Sequence, residues 1–437
     1  MMAILMTMLF MTPMCYLIKS NMILIQFMYM YMYMYMLYMD SFNYFSKVSY
    51  FLGLDNYSYF LILLMYLISS LMVISMINYG YLSSFLFLNL SLSIFIYIIF
   101  SSLSFMYMYI SFEFVLVPLM ILILGWGYQP ERLLAGLYLF FYTIFVSLPL
   151  LLLIMYMYMI KGSVFFDYMI FHSDFFLIHF ILILVFMVKM PMFLVHFWLP
   201  KAHVQAPVSG SMILAGLMLK IGGYGLIRVM FMYEYMYLSY SYFWFSISLL
   251  GSLMISLLCL IQIDIKSMIA YSSICHMGMV VMGILTMGKW GVLGSYMLML
   301  GHGFCSSGLF YIVNLLYNRT LSRSFFINKG LMVYLPSASL MMFVFCCFNM
   351  SCPPSINFFS ELMILGSMMM FWVGSIYYFM LTSFICACFS YYLYSFTQHG
   401  LYHNLYSFSC LSLLEFLCLF MHLVPLMFLF LMMKNFF

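Results

Sequence analysis

The chain has 437 residues, of which 14 are basic and 10 acidic, so that 5% are charged while 68% belong to the hydrophobic classes. Soluble domains carry about 25% charged residues, and this composition therefore excludes a soluble globular protein as well as an intrinsically disordered one. A polytopic membrane protein remains, in which charged residues inside the apolar segments are the informative ones.

Apolar runs bounded by charged residues, proline, glycine or polar clusters follow one another along the whole chain. A helix needs about 20 mostly apolar residues to cross a bilayer. The pattern predicts an all-α polytopic membrane protein with about fourteen transmembrane helices, near residues 2–18, 21–39, 57–78, 81–100, 103–124, 133–159, 175–199, 208–232, 241–263, 267–286, 292–315, 331–372, 373–394 and 408–432.

Two of these runs contain proline at an interruption. The seventh is interrupted at Lys189-Met190-Pro191, and the twelfth is too long for one straight helix and contains Pro353-Pro354. Proline removes the hydrogen bond to the carbonyl four residues earlier, and unsatisfied backbone at membrane depth must line a cavity or be buried in protein. We therefore expect helices seven and twelve to be broken.

The spacing of these features indicates an internal repeat. Pro353 follows Pro191 at nearly the interval at which His276 follows Glu113, although two pairs also allow coincidence. Interrupted spans at matching positions are typical of transport proteins. A five-helix unit repeated twice must be inverted, because its helix number is odd. The predicted domains are helices one to three, the first repeat, the second repeat and helix fourteen, at 1–80, 81–232, 241–394 and 395–437.

Six ionisable residues fall well inside the predicted spans. A charged group at a helix centre costs about 2.5–3.5 kcal/mol on insertion scales. Because these residues include both acidic and basic groups and lie on six different helices, they favour a polar path across the bundle. Ion pairs that only hold helices together remain the alternative. The other Lys and Arg residues, Arg228 among them, are assigned to loops. The candidate proton pathway is Glu113, Lys189, Lys220, His276, His302 and Glu361.

Each candidate has chemistry suited to moving a proton. Glu113 and Lys189 form a carboxylate–amine pair that either shares charge or neutralises itself by proton transfer. Lys220 precedes glycines that allow a neighbouring helix or water to approach. His276 and His302 ordinarily titrate near neutrality, and Glu361 follows the Pro353-Pro354 break as a terminal carboxylate.

Four further polar residues are predicted to support the path. Ser272 lies four residues before His276 and Ser306 four residues after His302, so each hydroxyl shares a helix face with an imidazole. Asp264 and Lys266 are either charged interface residues or a pair at the mouth of the pathway. Glu415, His422 and Gln205 receive no role.

No motif for redox chemistry is present in the sequence. There is no G-x-G-x-x-G loop after a strand, and the 11 cysteines form neither an iron–sulfur nor a zinc pattern. We expect no cofactor bound by this chain, and the cysteines to be small apolar packing residues.

Methionine and tyrosine alternate without a break from Met28 to Met36, in a chain with 52 Met and 40 Tyr. A repeated AT tract reads as Met-Tyr only where ATA encodes methionine, as in certain mitochondrial codes. The pattern predicts a mitochondrial gene, the alternatives being chance or selection for methionine in the bilayer.

Four segments resemble a known family. VKMPMFLVHFWLPKAHVQAPVSGSMILAGLMLKIGGYGLIR, QIDIKSMIAYSSICHMG, GHGFCSSGLF and PPSINFFSELMIL are similar to the chain 4 family of mitochondrial NADH:ubiquinone oxidoreductase, the antiporter-like, proton-pumping subunits of respiratory complex I. The resemblance covers roughly residues 110–370, and at Gln205 the family commonly has Glu.

The resemblance implies fourteen helices, two inverted five-helix repeats and broken helices seven and twelve. It implies that Glu113 and Lys189 control proton transfer, that Lys220 is the central relay, and that His276 and His302 connect it to Glu361. It further implies a mitochondrial inner-membrane location, neighbouring antiporter-like subunits as partners and bound phospholipids. NADH, flavin, iron–sulfur clusters and ubiquinone would be used by other subunits of the enzyme.

Three hypotheses follow for function. The first is a proton-translocating subunit of NADH:ubiquinone oxidoreductase, with no redox site in this chain. The second is a subunit of a sodium/proton antiporter, which would exchange cations without an electron donor. The third is a structural membrane scaffold, which predicts that neutralising the buried charges leaves turnover and pumping intact.

Overall fold

A computed structural model describes residues 1–17, 22–39, 47–77, 81–168, 175–401, 409–429 and 431. Parts of the predicted C-terminal segment 395–437 therefore lie outside the described residues, namely 402–408, 430 and 432–437. Within the described ranges the regular secondary structure is helical apart from one short antiparallel hairpin, β1 (Lys47–Ser49) and β2 (Leu52–Leu54), and the connecting segments add isolated β-bridges.

The helices before residue 240 are α1 (Met2–Leu17), α2 (Met22–Leu37), α3 (Asn56–Ser75), α4 (Leu82–Ser101), α5 (Phe105–Phe114), α6 (Leu116–Trp126), α7 (Arg132–Lys161), a 3₁₀ turn (Phe166–Tyr168), α8 (Phe176–Lys189), α9 (Trp198–Gln205), α10 (Val208–Ile213), a π-helical turn (Leu214–Met218), α11 (Leu219–Met232) and the first residues of α12 (Glu234–Ile261). The later helices are α13 (Ile265–Leu285), α14 (Lys289–Thr320), α15 (Leu331–Tyr334), α16 (Pro336–Asn349), α17 (Ile356–Phe371), α18 (Ser375–Gln398) and α19 (Leu413–Phe428).

Nine helices of the described residues are long and apolar enough to cross a membrane, and six shorter apolar helices accompany them. Large apolar side chains are also exposed along α7, where Phe145 and Leu152 are 81% and 73% exposed. Water would penalise this much exposed apolar surface, whereas lipid or a neighbouring subunit would not. The chain is therefore a helical membrane protein.

The chain divides into two compact units. Unit 1 comprises Met1–Met190 and Gln205–Tyr240, and unit 2 comprises Pro191–Val204 and Ser241–Phe437. In unit 1, α3 packs against α2, α4 and α10, while α8 packs against α7 and α11. In unit 2, α14 packs against α13, α16, α17 and α19. Each unit thus buries one long helical segment among several neighbours, Val208–Met232 in unit 1 and α14 in unit 2.

The start of α3 is defined by a capping box. The Asp55 side chain accepts from the Ser58 backbone N–H at 3.0 Å, and the Ser58 hydroxyl accepts from the Asp55 N–H at 2.9 Å. These reciprocal bonds satisfy two backbone donors at a helix end. Asp55 is consequently held rigidly, which matters below because its carboxylate also meets an arginine.

Glycines bring α14 close to α17. A side chain at Gly294 would place its Cβ 2.8 Å from the Cβ of Met363, and one at Gly301 would collide with Asn357. Contacts this short do not occur between real side chains, so only glycine permits the observed separation. The close approach positions His302, which follows Gly301, near the helix that carries Glu361.

Candidate functional site

Lys189 is the last residue of α8, directly before the predicted break. The helix ends here because Pro191 has no backbone N–H to continue it. Lys189 is 3% exposed, and its Nζ donates to the Phe112 carbonyl at 3.0 Å and lies 3.1 Å from the centre of the Phe112 ring. The ammonium is thus stabilised by a carbonyl dipole and an aromatic face.

Glu113 is the neighbour of Phe112 on α5 and is half-buried. Its Oε1 is buried and has no hydrogen-bond partner in the protein, and it is absent from the three ion pairs found among the described residues. Lys189 therefore contacts the residue next to Glu113 rather than its carboxylate. The pair is brought together, but its charges are not in direct contact.

Lys220 lies just after the π-helical turn and is fully buried. The π geometry appears in the bond from the Leu219 N–H to the Leu214 carbonyl, five residues earlier. Lys220 Nζ donates to the Ala215 carbonyl at 2.6 Å. Short π segments inside α-helices are frequent at functional sites, and this one supplies an oxygen to the buried ammonium.

Glycines on α11 allow the Lys189 and Lys220 helices to pack closely. A Cβ at Gly222 would lie 2.6 Å from Met190 Cγ and 3.0 Å from the Met190 backbone nitrogen, and one at Gly225 would overlap the ring of Phe186. The glycines after Lys220 therefore permit direct contact between α11 and the end of α8.

In unit 2, three titratable side chains from three helices meet. His276 of α13 lies with its Nδ1 3.9 Å from Glu361 Oε1 of α17, and its ring centre lies 5.5 Å from that of His302 on α14. Both histidines are 2% exposed and Glu361 is 14% exposed. His276 is consequently placed between a carboxylate and a second imidazole.

The break between α16 and α17 contributes a hydrogen bond to Glu361. The Ser351 hydroxyl donates to Glu361 Oε1, and Ser351 has a φ of 58°, a left-handed conformation that is uncommon outside glycine. Asn357 donates to the Phe348 carbonyl at 2.9 Å on the other side of the same break. Sequence reasoning identified the break but neither of these residues.

The two serines predicted to support the path donate to carbonyls of their own helices rather than to the histidine rings. The Ser272 hydroxyl donates to the Ile269 carbonyl at 2.8 Å and the Ser306 hydroxyl to the His302 carbonyl at 2.6 Å. Asp264 is the N-cap of α13, and Lys266 in its first turn is 1% exposed, with Nζ 5.9 Å from the Tyr317 ring centre. Lys266 is thus buried within the protein, at the start of α13.

The prediction that Arg228 lies in a loop is wrong, because this residue lies inside α11. It is 2% exposed, and its Nη2 lies 2.6 Å from Oδ2 of Asp55, which is equally buried. Its Nε donates to the Tyr224 hydroxyl at 2.9 Å. The only sequence signal is the spacing of four residues between Lys220, Tyr224 and Arg228, which places them on one helix face.

Two family models match the chain. Residues 102–390 match "NADH:quinone oxidoreductase/Mrp antiporter, TM", and residues 1–99 match "NADH-ubiquinone oxidoreductase chain 4, amino terminus". The first match includes all six candidate residues.

Curated relatives and a solved structure agree with these matches. Proteins named NADH-ubiquinone oxidoreductase chain 4 are 47% identical in Ceratitis capitata, over 92% of this chain and 91% of that protein, and 47% identical in Aedes aegypti, over 82% and 81%. The fold is similar to a chain of respiratory complex I from Thermus thermophilus with bound NADH. That match has a TM-score of 0.88 and 18% identity, and it covers 99% of this chain and 96% of the other.

Proposed function

The chain belongs to the NADH-ubiquinone oxidoreductase chain 4 family, and from this premise we propose that Glu113, Lys189, Lys220, His276, His302 and Glu361 carry the protons that this membrane-arm subunit translocates. Electron transfer takes place in other subunits of the enzyme, so this chain contributes proton movement. We propose that those subunits bind NADH, flavin, iron–sulfur clusters and ubiquinone, and that the complex lies in the mitochondrial inner membrane with bound phospholipid.

The architecture that we propose for this role has fourteen helices. Helices four to eight and nine to thirteen form two inverted five-helix repeats, at 81–232 and 241–394, preceded by helices one to three and followed by helix fourteen. The interruptions after Lys189 and Asn349 support this proposal, because each ends a helix ahead of proline and is followed by a second helical segment.

The observation that carries the proposal is the cluster in unit 2. His276 lies 3.9 Å from the Glu361 carboxylate and 5.5 Å, ring to ring, from His302. An imidazole accepts a proton at one nitrogen and releases one from the other, so His276 can pass a proton between two neighbours after a small rotation or through one water. A buried packing ion pair would not need the second histidine.

In unit 1, Lys189 can serve as the switch. Its ammonium now contacts the Phe112 carbonyl, one residue from Glu113. Moving to the carboxylate would favour the charged form of Glu113, and moving away would favour the protonated form. Lys220, held by the Ala215 carbonyl, supplies a second buried ammonium that can be loaded and unloaded.

The test is the substitution Lys220→Met, which removes the ammonium and keeps the length of the side chain. We expect the assembled complex to translocate fewer protons per NADH oxidised. Met218→Leu in the adjacent π-helical turn is the matched control, because such apolar exchanges are well tolerated. An unchanged proton-to-electron ratio in the fully assembled Lys220→Met complex would overturn the role of this lysine.

The sodium/proton alternative is favoured by one observation, the inclusion of Mrp antiporters in the family model that covers residues 102–390. It predicts sodium-dependent acidification of vesicles containing the complex without any electron donor. Proton uptake that depends on NADH and is independent of sodium would exclude it.

A further inference from the structure

The helix that carries Lys220 has a polar face that continues beyond the proposed pathway. Tyr224 and Arg228 follow Lys220 at intervals of four residues and so lie on the same side of α11. Both are buried, with 1% and 2% exposure. The proposed proton path uses neither residue, although their positions would extend it toward the end of the helix.

Tyr224 and Arg228 are joined to each other and to two other helices by polar contacts. Arg228 Nη2 lies 2.6 Å from Asp55 Oδ2, and Arg228 Nε donates to the Tyr224 hydroxyl at 2.9 Å. The Tyr224 hydroxyl in turn donates to the Phe100 carbonyl at 2.8 Å. Asp55 is fixed by the capping box of α3, so the set connects the start of α3, the end of α4 and the last turns of α11.

Lys220 points away from this set. Its Nζ bonds the Ala215 carbonyl, five residues toward the beginning of the helix, as helical side chains usually lean. Arg228 lies at the opposite end of α11, beside the N-cap of α3. The buried ammonium therefore lies near the start of α11, about two helical turns before Arg228.

The chemistry of the set opposes proton passage. A relay group must accept a proton on one side and release one on the other. A guanidinium has donors only and is not deprotonated in proteins, and the one hydroxyl hydrogen of Tyr224 is directed at a backbone carbonyl.

We propose that Asp55, Arg228 and Tyr224 form a proton seal at the end of α11. The seal restricts proton exchange of Lys220 to the side of the π-helical turn. A proton bound by this lysine therefore does not leave in the direction of Arg228. The proposal rests on the proposed role of Lys220. A purely structural role, in which the ion pair only joins α3 to α11, is the outcome that the experiment must distinguish.

Arg228→Lys is the decisive variant. It keeps a cation opposite Asp55, so helix packing is retained, but an ammonium can release its proton where a guanidinium cannot. The complete complex carrying the variant is reconstituted into phospholipid vesicles, and the decay of an imposed pH gradient is followed with an internal pH dye, without NADH. We expect decay at least about tenfold faster than with the unmodified complex, equivalent to a barrier lower by about 1.4 kcal/mol.

Two comparisons make the result specific. Arg319→Lys is the matched control, because Arg319 pairs with Glu415 at 2.7 Å in unit 2, and it should leave the decay unchanged. Combining Arg228→Lys with Lys220→Met should return the decay to the unmodified rate, since the leak would pass through Lys220.

A gradient that Arg228→Lys maintains as long as the unmodified complex would overturn the proposal, and so would a leak that Lys220→Met leaves intact. If Arg228→Lys does not assemble, Arg228→His replaces it, because an imidazole also accepts and releases a proton, with the same expected leak and the same refuting result. Failure of the proposed function is seen separately, as an unchanged proton-to-electron ratio in the NADH-driven Lys220→Met complex.

Discussion

Gly225→Ala tests whether the close approach of α8 and α11 holds the Lys189 site together. The added methyl would overlap the ring of Phe186, three of whose atoms lie within 3.0 Å of its position. Phe186 is 1% exposed and its ring packs edge-on against that of Phe112, with centres 5.9 Å apart. Since Phe112 carries the carbonyl that binds Lys189, displacement of Phe186 is transmitted to the lysine.

The expected loss of stability in Gly225→Ala is the difference between two opposing free energies. Overpacking of a buried site costs about 1–3 kcal/mol, and replacing glycine by alanine within a helix returns about 0.5–1 kcal/mol. Because the overlap involves a buried ring with little room to move, we place the cost in the upper part of its range and expect a net loss of about 2 kcal/mol. This corresponds to roughly a 30-fold change in the equilibrium between native and disrupted packing.

The assay is thermal dissociation of the solubilised complex, followed by native electrophoresis for retention of this chain. Gly366→Ala is the matched control, because its methyl would meet nothing within 4 Å on α17, and it should be neutral or slightly stabilising. Phe186→Leu in the Gly225→Ala background should recover part of the loss, since neighbours that clash show coupled effects. Equal stability of Gly225→Ala and Gly366→Ala, or no recovery by Phe186→Leu, would refute the steric explanation.

Two further predictions concern charged residues. Asp55→Ala should lower the yield of assembled complex, because a buried guanidinium left without its partner costs about 3–5 kcal/mol. Quantitative native electrophoresis measures the yield, and a normal yield would contradict the buried pair. Glu361→Gln should reduce the number of protons translocated per NADH, although it keeps an oxygen that accepts from Ser351. Glu415→Gln, at a partly exposed ion pair, should leave that number unchanged. Equal effects of the two substitutions on the proton-to-NADH ratio would contradict a specific role of Glu361.

Local sequence rules predicted the parts of the site that depend on local chemistry. Proline after Lys189 ends α8 where expected, and the glycines after Lys220 permit the predicted close approach of a neighbouring helix. The π-helical turn before Lys220 could not be predicted, because LAGLM has no residue that forbids an ordinary α-helix. Ser351 was missed because its role depends on a left-handed backbone conformation that the sequence does not require of serine.

The Asp55–Arg228 pair could not be predicted for a different reason. Each residue lies near the edge of an apolar run, where a charge is normally solvated, and the shared helix face of Lys220, Tyr224 and Arg228 is the only local signal for either of them. Their contact joins residues far apart in the sequence, so it depends on how α3 and α11 pack. The same holds for His276, His302 and Glu361, for which the sequence indicates the helix but not the rotation that turns each side chain toward the others.

The π-helical turn at Leu214–Met218 also determines the angular phase of α11. In an α-helix each residue advances by about 100° around the axis, so a wide turn that accommodates one extra residue offsets everything after it by about that angle. Tightening this turn to ordinary α geometry with all five residues kept would rotate Gly222 and Gly225 away from α8 and Arg228 away from Asp55, whereas deleting one residue together with the wide turn would leave their directions unchanged. The wide turn therefore sets the direction of every side chain that follows it on α11.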